Sequence, residues 1–144
     1  MAKYESKVIQ TGYDPTQGDE VKVNDVPVVP LSALTGEISY DVADPYTVKI
    51  GTIPAGAVVI GAIVDIETAF NAATTNVLIV GTESDDDHYV AAGDVDETTE
   101  AGTLVADKSE AVSADTAVYA KYTQTGTAAT AGKARVTVLY AVPA

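Results

Sequence analysis

The run over residues 58–70 constrains this chain more than any other feature. Val58, Ile60, Ala62, Val64, Ile66, Thr68 and Phe70 alternate with Val59, Gly61, Ile63, Asp65 and Glu67, the period of two that a pleated strand presents and a helix does not. The run is rich in β-branched side chains, which lose χ1 freedom in a helix and fit a pleated surface. Its first half is apolar on both faces and its second half on one, so the strand requires cover on both sides where it begins.

Other segments supply partners of the same kind. Tyr46, Val48 and Ile50 alternate with Thr47 and Lys49, Val118, Ala120 and Tyr122 with Tyr119 and Lys121, and Ala134, Val136, Val138, Tyr140 and Val142 with Lys133, Arg135, Thr137 and Leu139. Residues 77–80 form a continuous apolar run closed by Gly81, the pattern of a central strand. Ile53, Pro54, Ala55 and Gly56 make a turn. Residues 88–91 and 104–106 are weaker strand signals, and residues 109–115 suit a turn or one helical turn. The loop over residues 125–132 is long for a hairpin, so the strands on either side of it need not pair with each other. The expected fold is all-β: a single β-sandwich, jelly-roll or β-barrel-like domain of about seven to eight strands with at most one short helix.

Residues 1–35 show neither hydrophobic period and contain Pro15, Gly18, Pro27 and Pro30. The expected division is an extended N-terminal arm over 1–35 and an all-β domain over 36–144. Each proline fixes its own φ and biases the preceding residue away from the helical region, so residues 26–31 are expected to be extended. Their apolar side chains need a surface, which makes Val26, Pro27, Val28, Val29, Pro30 and Leu31 the expected assembly contacts of a docking arm.

Charge narrows the partners. Eight basic residues against twenty-one acidic ones give a net charge of -13, which repels polyphosphate and anionic lipid, so neither nucleic acid nor a membrane is expected as a partner. Residues 1–24 hold three Lys against four acids, so most of the negative charge lies in the remainder. There is no Cys, hence no disulfide framework and no thiolate metal site. The N-terminus has no apolar signal-peptide core, and synthesis in the cytoplasm is expected.

Residues 83–100 carry eight acids and no Lys or Arg. Asp85, Asp87, Asp94 and Asp96 supply oxygen ligands of the type calcium takes, but their order departs from an EF-hand: counting from Asp85, the sixth position is Val90 where Gly is needed and the twelfth is Asp96 where Glu is needed. A solvated acidic loop is the simpler reading, and no metal or cofactor is expected. Ser84, His88 and an adjacent Asp do not make a hydrolase triad, because neighbours on one loop are no proof of assembly in space. No catalytic residue is assigned, and the chain is expected not to be an enzyme.

Ile53 to Val59 with its Pro-Ala-Gly turn, Val64 to Asn71 with its Ala-Phe-Asn corner, residues 77–81 ending in Val-Gly, and the closing strand over 132–140 together resemble small structural proteins of tailed bacteriophages, the capsid decoration or head-stabilising proteins and related minor virion proteins. The resemblance covers about residues 46–140. It implies a cement protein on the outer surface of a phage head, with the major capsid protein as partner and a homotrimer as the favoured state. Val and Ile on both faces of residues 58–64 independently suggest a partner surface and a homo-oligomer. A carbohydrate- or calcium-binding β-sandwich of a cell surface or phage tail is the alternative.

Overall fold

The computed structural model describes residues 22–23, 26–27, 30–42, 46–106 and 108–143. Among them lie ten strands and no helix: β1 (Lys22–Val23), β2 (Val26–Pro27), β3 (Leu31–Ser39), β4 (Thr47–Ile53), β5 (Val58–Thr68), β6 (Thr75–Gly81), β7 (Gly102–Val105), β8 (Glu110–Ala111), β9 (Thr116–Thr125) and β10 (Lys133–Ala141). A three-stranded sheet runs β4-β9-β6, and a larger sheet runs β3-β10-β5-β7, with β8 pairing on the start of β5. All of these pairings are antiparallel, and β1 and β2 pair only with each other. The fold is the expected all-β sandwich.

Both sheets contribute inward-pointing residues to one core. Ala62, Val64, Ala134, Val136 and Val138 come from the larger sheet, Val80, Val118, Ala120 and Tyr122 from the smaller, and all are fully buried. β9 and β10 lie in different sheets, as the long loop between them suggests. The sheets approach most closely where β3 passes over β4. A Cβ placed on Gly36 would sit 2.9 Å from Ile50 Cδ1, and one on Gly51 would sit 3.0 Å from Leu34 Cδ2. Each glycine thus makes room for a side chain of the opposite sheet.

Three local expectations change. The period of β5 breaks at its start, because the register against β10 shifts between Leu139 and Tyr140. Tyr140 faces Val59 and Leu139 faces Gly61, which leaves Ile60 as the extra residue of a bulge. Val59 is therefore buried and Ile60 is 40% exposed, the reverse of what strict alternation predicts. Tyr46 stands just before β4 rather than in it, at φ 61, where its carbonyl accepts from Tyr122 N–H at 3.0 Å. β6 is an edge strand, not a central one.

The boundary expected between residues 35 and 36 falls inside β3, which pairs with β10 from Leu31 opposite Ala141 to Ser39 opposite Lys133. Of the six expected assembly contacts, Val26 and Pro27 form β2, Pro30 and Leu31 are exposed, and Val28 and Val29 lie outside the described residues.

Candidate functional site

The acidic segment after β6 folds back over the open edge of that strand. Val80 N–H and Val90 N–H each donate to the other residue's carbonyl at 3.0 Å, and Tyr89 N–H donates to Val80 O at 2.8 Å. Glu97, only 5% exposed, accepts the Leu78 N–H through Oε1 at 2.8 Å. Burial pushes its carboxyl above the usual range, and the Leu78 N–H works against that shift. An edge strand with unpaired N–H groups is an aggregation risk, and here the loop and one glutamate cover it. In the sequence Glu97 reads only as an oxygen donor grouped with Asp94 and Asp96, because one acid among eight in a stretch reads as solvated, and its buried role has no signal there.

Of the four acidic residues weighed for calcium, Asp85, Asp87 and Asp94 line one cleft with His88 and Lys108, and Asp96 is not part of that lining. Asp94 Oδ2 accepts Ala91 N–H at 2.9 Å. Asp96 accepts Thr98 N–H at 3.0 Å, Thr98 Oγ1 at 2.6 Å and Thr99 Oγ1 at 2.8 Å, and the Thr98 hydroxyl bond leads in lowering its pKa. These are the turn-closing roles of short acidic side chains. Asp85 and Asp87 lie together, and their mutual hydrogen bond raises the pKa of Asp87. Among the described residues no group of three or more His, Asp or Glu is placed to hold a metal ion.

His88 joins this loop to β8. Its Nδ1 lies 3.1 Å from Asp85 Oδ2 and its Nε2 lies 2.5 Å from Glu110 Oε2. Both ring nitrogens are thus engaged by carboxylates, and Ser84 Oγ faces Thr82 Oγ1 at 3.4 Å instead. A cleft of about 440 Å³ opens beside them, lined by Ser84, His88, Glu110, Ser113 and Thr116 among others. Without a nitrogen free to accept its proton, Ser84 has no activating base there.

The Glu110 contact, and then Asp85, raise the His88 pKa against the opposing effect of burial. A raised histidine pKa means that the clamp contributes fully below the ordinary value of about 6.5 and is lost as pH rises through the folded value. His88 is the only histidine, so its ring resonances in proton NMR report this group alone. We expect a midpoint above about 6.5, lowered by Glu110→Gln. A midpoint at or below the ordinary value in the unaltered chain would remove the clamp.

The second feature is the outward face of the larger sheet. Alternation along β3 and β10 turns Leu31, Ala33, Thr35 and Glu37 outward, opposite Ala141, Leu139, Thr137 and Arg135. The next row positions come from β5 and β7, where Ile63 pairs with Leu104 and Asp65 with Gly102. The face therefore has two ends. At one, Leu31 is 60% exposed, with Ile60 in the bulge beside Leu139; Leu104, 63% exposed, lies on the opposite edge strand, in line with Thr35, Thr137 and Ile63. At the other, Arg135 Nε lies 3.1 Å from Glu67 Oε2 and its Nη2 lies 2.5 Å from Glu37 Oε2. Lys133 Nζ lies 3.6 Å from Glu37 and 3.5 Å from Glu67. The Arg135 hydrogen bond lowers the pKa of Glu67. Between the two ends, Thr35 Oγ1 and Thr137 Oγ1 share a hydrogen bond of 2.9 Å. Exposed ion pairs of this type add little stability, but they fix a neutral pattern on the surface of an acidic protein.

No family model matches the sequence, and no curated protein is similar to it. Solved structures do share the fold. A chain of the cyanophage Pam1 capsid asymmetric unit aligns with a TM-score of 0.67 and 20% identity over 92% of this chain and 99% of that one. A chain of the acidic stable capsid structure of Helicobacter pylori bacteriophage KHP30 aligns at 0.60 and 20% identity over 81% and 92%. One from the capsid of Ralstonia phage GP4 aligns at 0.55 and 16% identity over 86% and 93%. At such identities the likeness is one of fold.

Proposed function

We propose that this chain is a non-enzymatic structural protein of a phage virion, a decoration or cement protein that binds the outer surface of the head and stabilises it. The observation that carries the reading is the near end-to-end fold likeness to a chain of a phage capsid asymmetric unit, with 99% of that chain covered. Two features support it. The motifs over residues 46–140 resemble head-stabilising proteins, and the charge of -13 suits an outer face better than a genome-facing one. The partner is the major capsid protein, and the favoured state is a homotrimer made in the host cytoplasm.

Attachment is assigned to the segment before β3, whose Val26, Pro27, Val28, Val29 and Pro30 lead directly into Leu31. An extended arm loses conformational entropy on docking, of order 1–2 kcal/mol per backbone residue, so it must gain contacts along its length. The test uses heads depleted of this protein. The full chain is expected to co-sediment with them and raise their disruption temperature. A chain beginning at Pro30 is expected to melt within a few degrees of the full chain yet fail to bind. Binding by neither chain removes the virion reading, and equal binding by both removes the arm.

A further inference from the structure

We infer that the outward face of the β3-β10-β5-β7 sheet is the surface through which one copy of this chain binds a second copy, a two-fold contact separate from the threefold contacts of the proposed trimer. The inference deepens the virion reading and rests on it for the presence of many copies side by side. Leu31 and Leu104 sit on the two edge strands of that sheet, 60% and 63% exposed, and Ile60 is 40% exposed in the bulge between them. Three of the five exposed large hydrophobics among the described residues therefore fall on one face. Isolated exposed leucines are ordinary, whereas here outward Ala33, Leu139 and Ile63 fill the rows between Leu31 and Leu104, and a contiguous apolar face marks a surface that is covered in use.

Charge selects the occupant. The same face carries Lys133 and Arg135 against Glu37, Asp65 and Glu67, two cations against three carboxylates, in a chain whose net charge is -13. A basic partner would be met by an acidic surface, and this chain has acidic surface elsewhere. A second polyanion can approach only where charge is locally balanced, and a mixed row of cations and carboxylates can meet its own copy with opposite signs facing. Four strands roughly 4.8 Å apart, three of them about nine residues long at about 3.3 Å per residue, present about 500 Å² per copy. Two copies would bury about 1,000 Å², at the threshold for a specific interface. Association of micromolar strength is expected, and it should strengthen as salt screens the repulsion between the remaining acidic surfaces.

The test is sedimentation velocity on the full chain from about 1 to 100 µM in roughly 0.05 and 0.3 M salt, beside the double variant Leu31→Glu/Leu104→Glu. Both leucines are mostly exposed, so the variant should keep its melting temperature within a few degrees, and a melting curve checks this. The expected result is concentration-dependent association of the unaltered chain, weakened at least tenfold in the variant. Thr123→Glu, exposed on β9 of the other sheet, should associate like the unaltered chain. A monomer at every concentration and salt overturns the inference, and so does a folded double variant that associates normally. If the unaltered chain is monomeric but binds depleted heads, and the double variant does not bind them, this face docks on the capsid: self-association falls and the virion reading stands. If it neither associates nor binds heads, both fall.

Discussion

Gly132→Ala is expected to lower the melting temperature by on the order of 10 °C, more than any other single methyl group added to a glycine without backbone contacts. Gly132 closes the loop before β10 at φ +148, and a Cβ there would lie 2.6 Å from Phe70 Cγ, 2.8 Å from Cε2 and closer still to Cδ2. Phe70 has little room to retreat. It is 1% exposed, its ring centroid lies 4.5 Å from that of Tyr122, and its N–H donates to Glu97 O at 2.9 Å. Tyr122 is held in turn by its hydroxyl, which donates to Asn76 Oδ1 at 2.7 Å.

Two costs add at Gly132. A non-glycine residue in a sparsely populated backbone region costs about 1–3 kcal/mol, and overpacking a filled core costs about 1–3 kcal/mol more. A total of about 2–6 kcal/mol is a large part of the 5–15 kcal/mol typical of a domain, and each kcal/mol shifts melting by about 2–4 °C at this size. Gly93→Ala separates the two costs. Gly93 has φ +92 and nothing within 4 Å of an added Cβ, so only the backbone term, about 1 kcal/mol, should appear. Adding Phe70→Leu to Gly132→Ala should recover part of the loss through relief of the clash, a coupling that a double-mutant cycle measures. Equal melting of Gly132→Ala and Gly93→Ala would show that the ring and the glycine are not in contact.

Where the sequence was readable, inward positions carried apolar residues in unbroken alternation with polar or larger outward ones. Val118, Ala120 and Tyr122 in β9 and Ala134, Val136 and Val138 in β10 are all fully buried, as their period predicts. β3 escaped notice for a physical reason. Its inward positions are Ser32, Leu34, Gly36 and Ile38, and Gly36 is needed because Ile50 occupies the space a side chain would take. The close approach of the two sheets thus erased the hydrophobic signal of the strand that makes it. β6 misled in the opposite sense. Its run of four apolar residues reads as central, yet its second neighbour is a loop, with Glu97 in place of a strand at Leu78 N–H. The candidate assembly face was half legible. The apolar residues on both sides of β5 pointed to a partner surface, but only the bulge opposite Leu139 and Tyr140 shows which of them face outward. The charged end required Glu37, Glu67 and Arg135, far apart in sequence, to be brought within ion-pair distance.

A chain beginning at Gly36 is expected to lose most of its stability and to aggregate, because the cut falls within β3 rather than before it. Removing residues 31–35 strips five register positions from β10, Ala141 through Thr137. Each net backbone hydrogen bond lost costs about 0.5–1.5 kcal/mol. Leu34 goes with them, a half-buried side chain packed against the core and seated over Gly51. Full burial of a leucine is worth about 1.5–3 kcal/mol, and the void left above Gly51 adds a cavity cost. The Thr35 hydroxyl bond to Thr137 is lost as well. Together these reach on the order of 4–6 kcal/mol, comparable to the whole stability of a marginal domain. The freed half of β10 would become an open strand edge flanked by Leu139 and Tyr140, a template for pairing with other chains. Urea titrations followed by far-UV circular dichroism should place the Gly36 chain's midpoint far below that of the chain beginning at Pro30. Light scattering should rise in the Gly36 chain alone. Matching midpoints for the two truncated chains would show that residues 31–35 contribute nothing to the sheet, and β3 would then begin at Gly36.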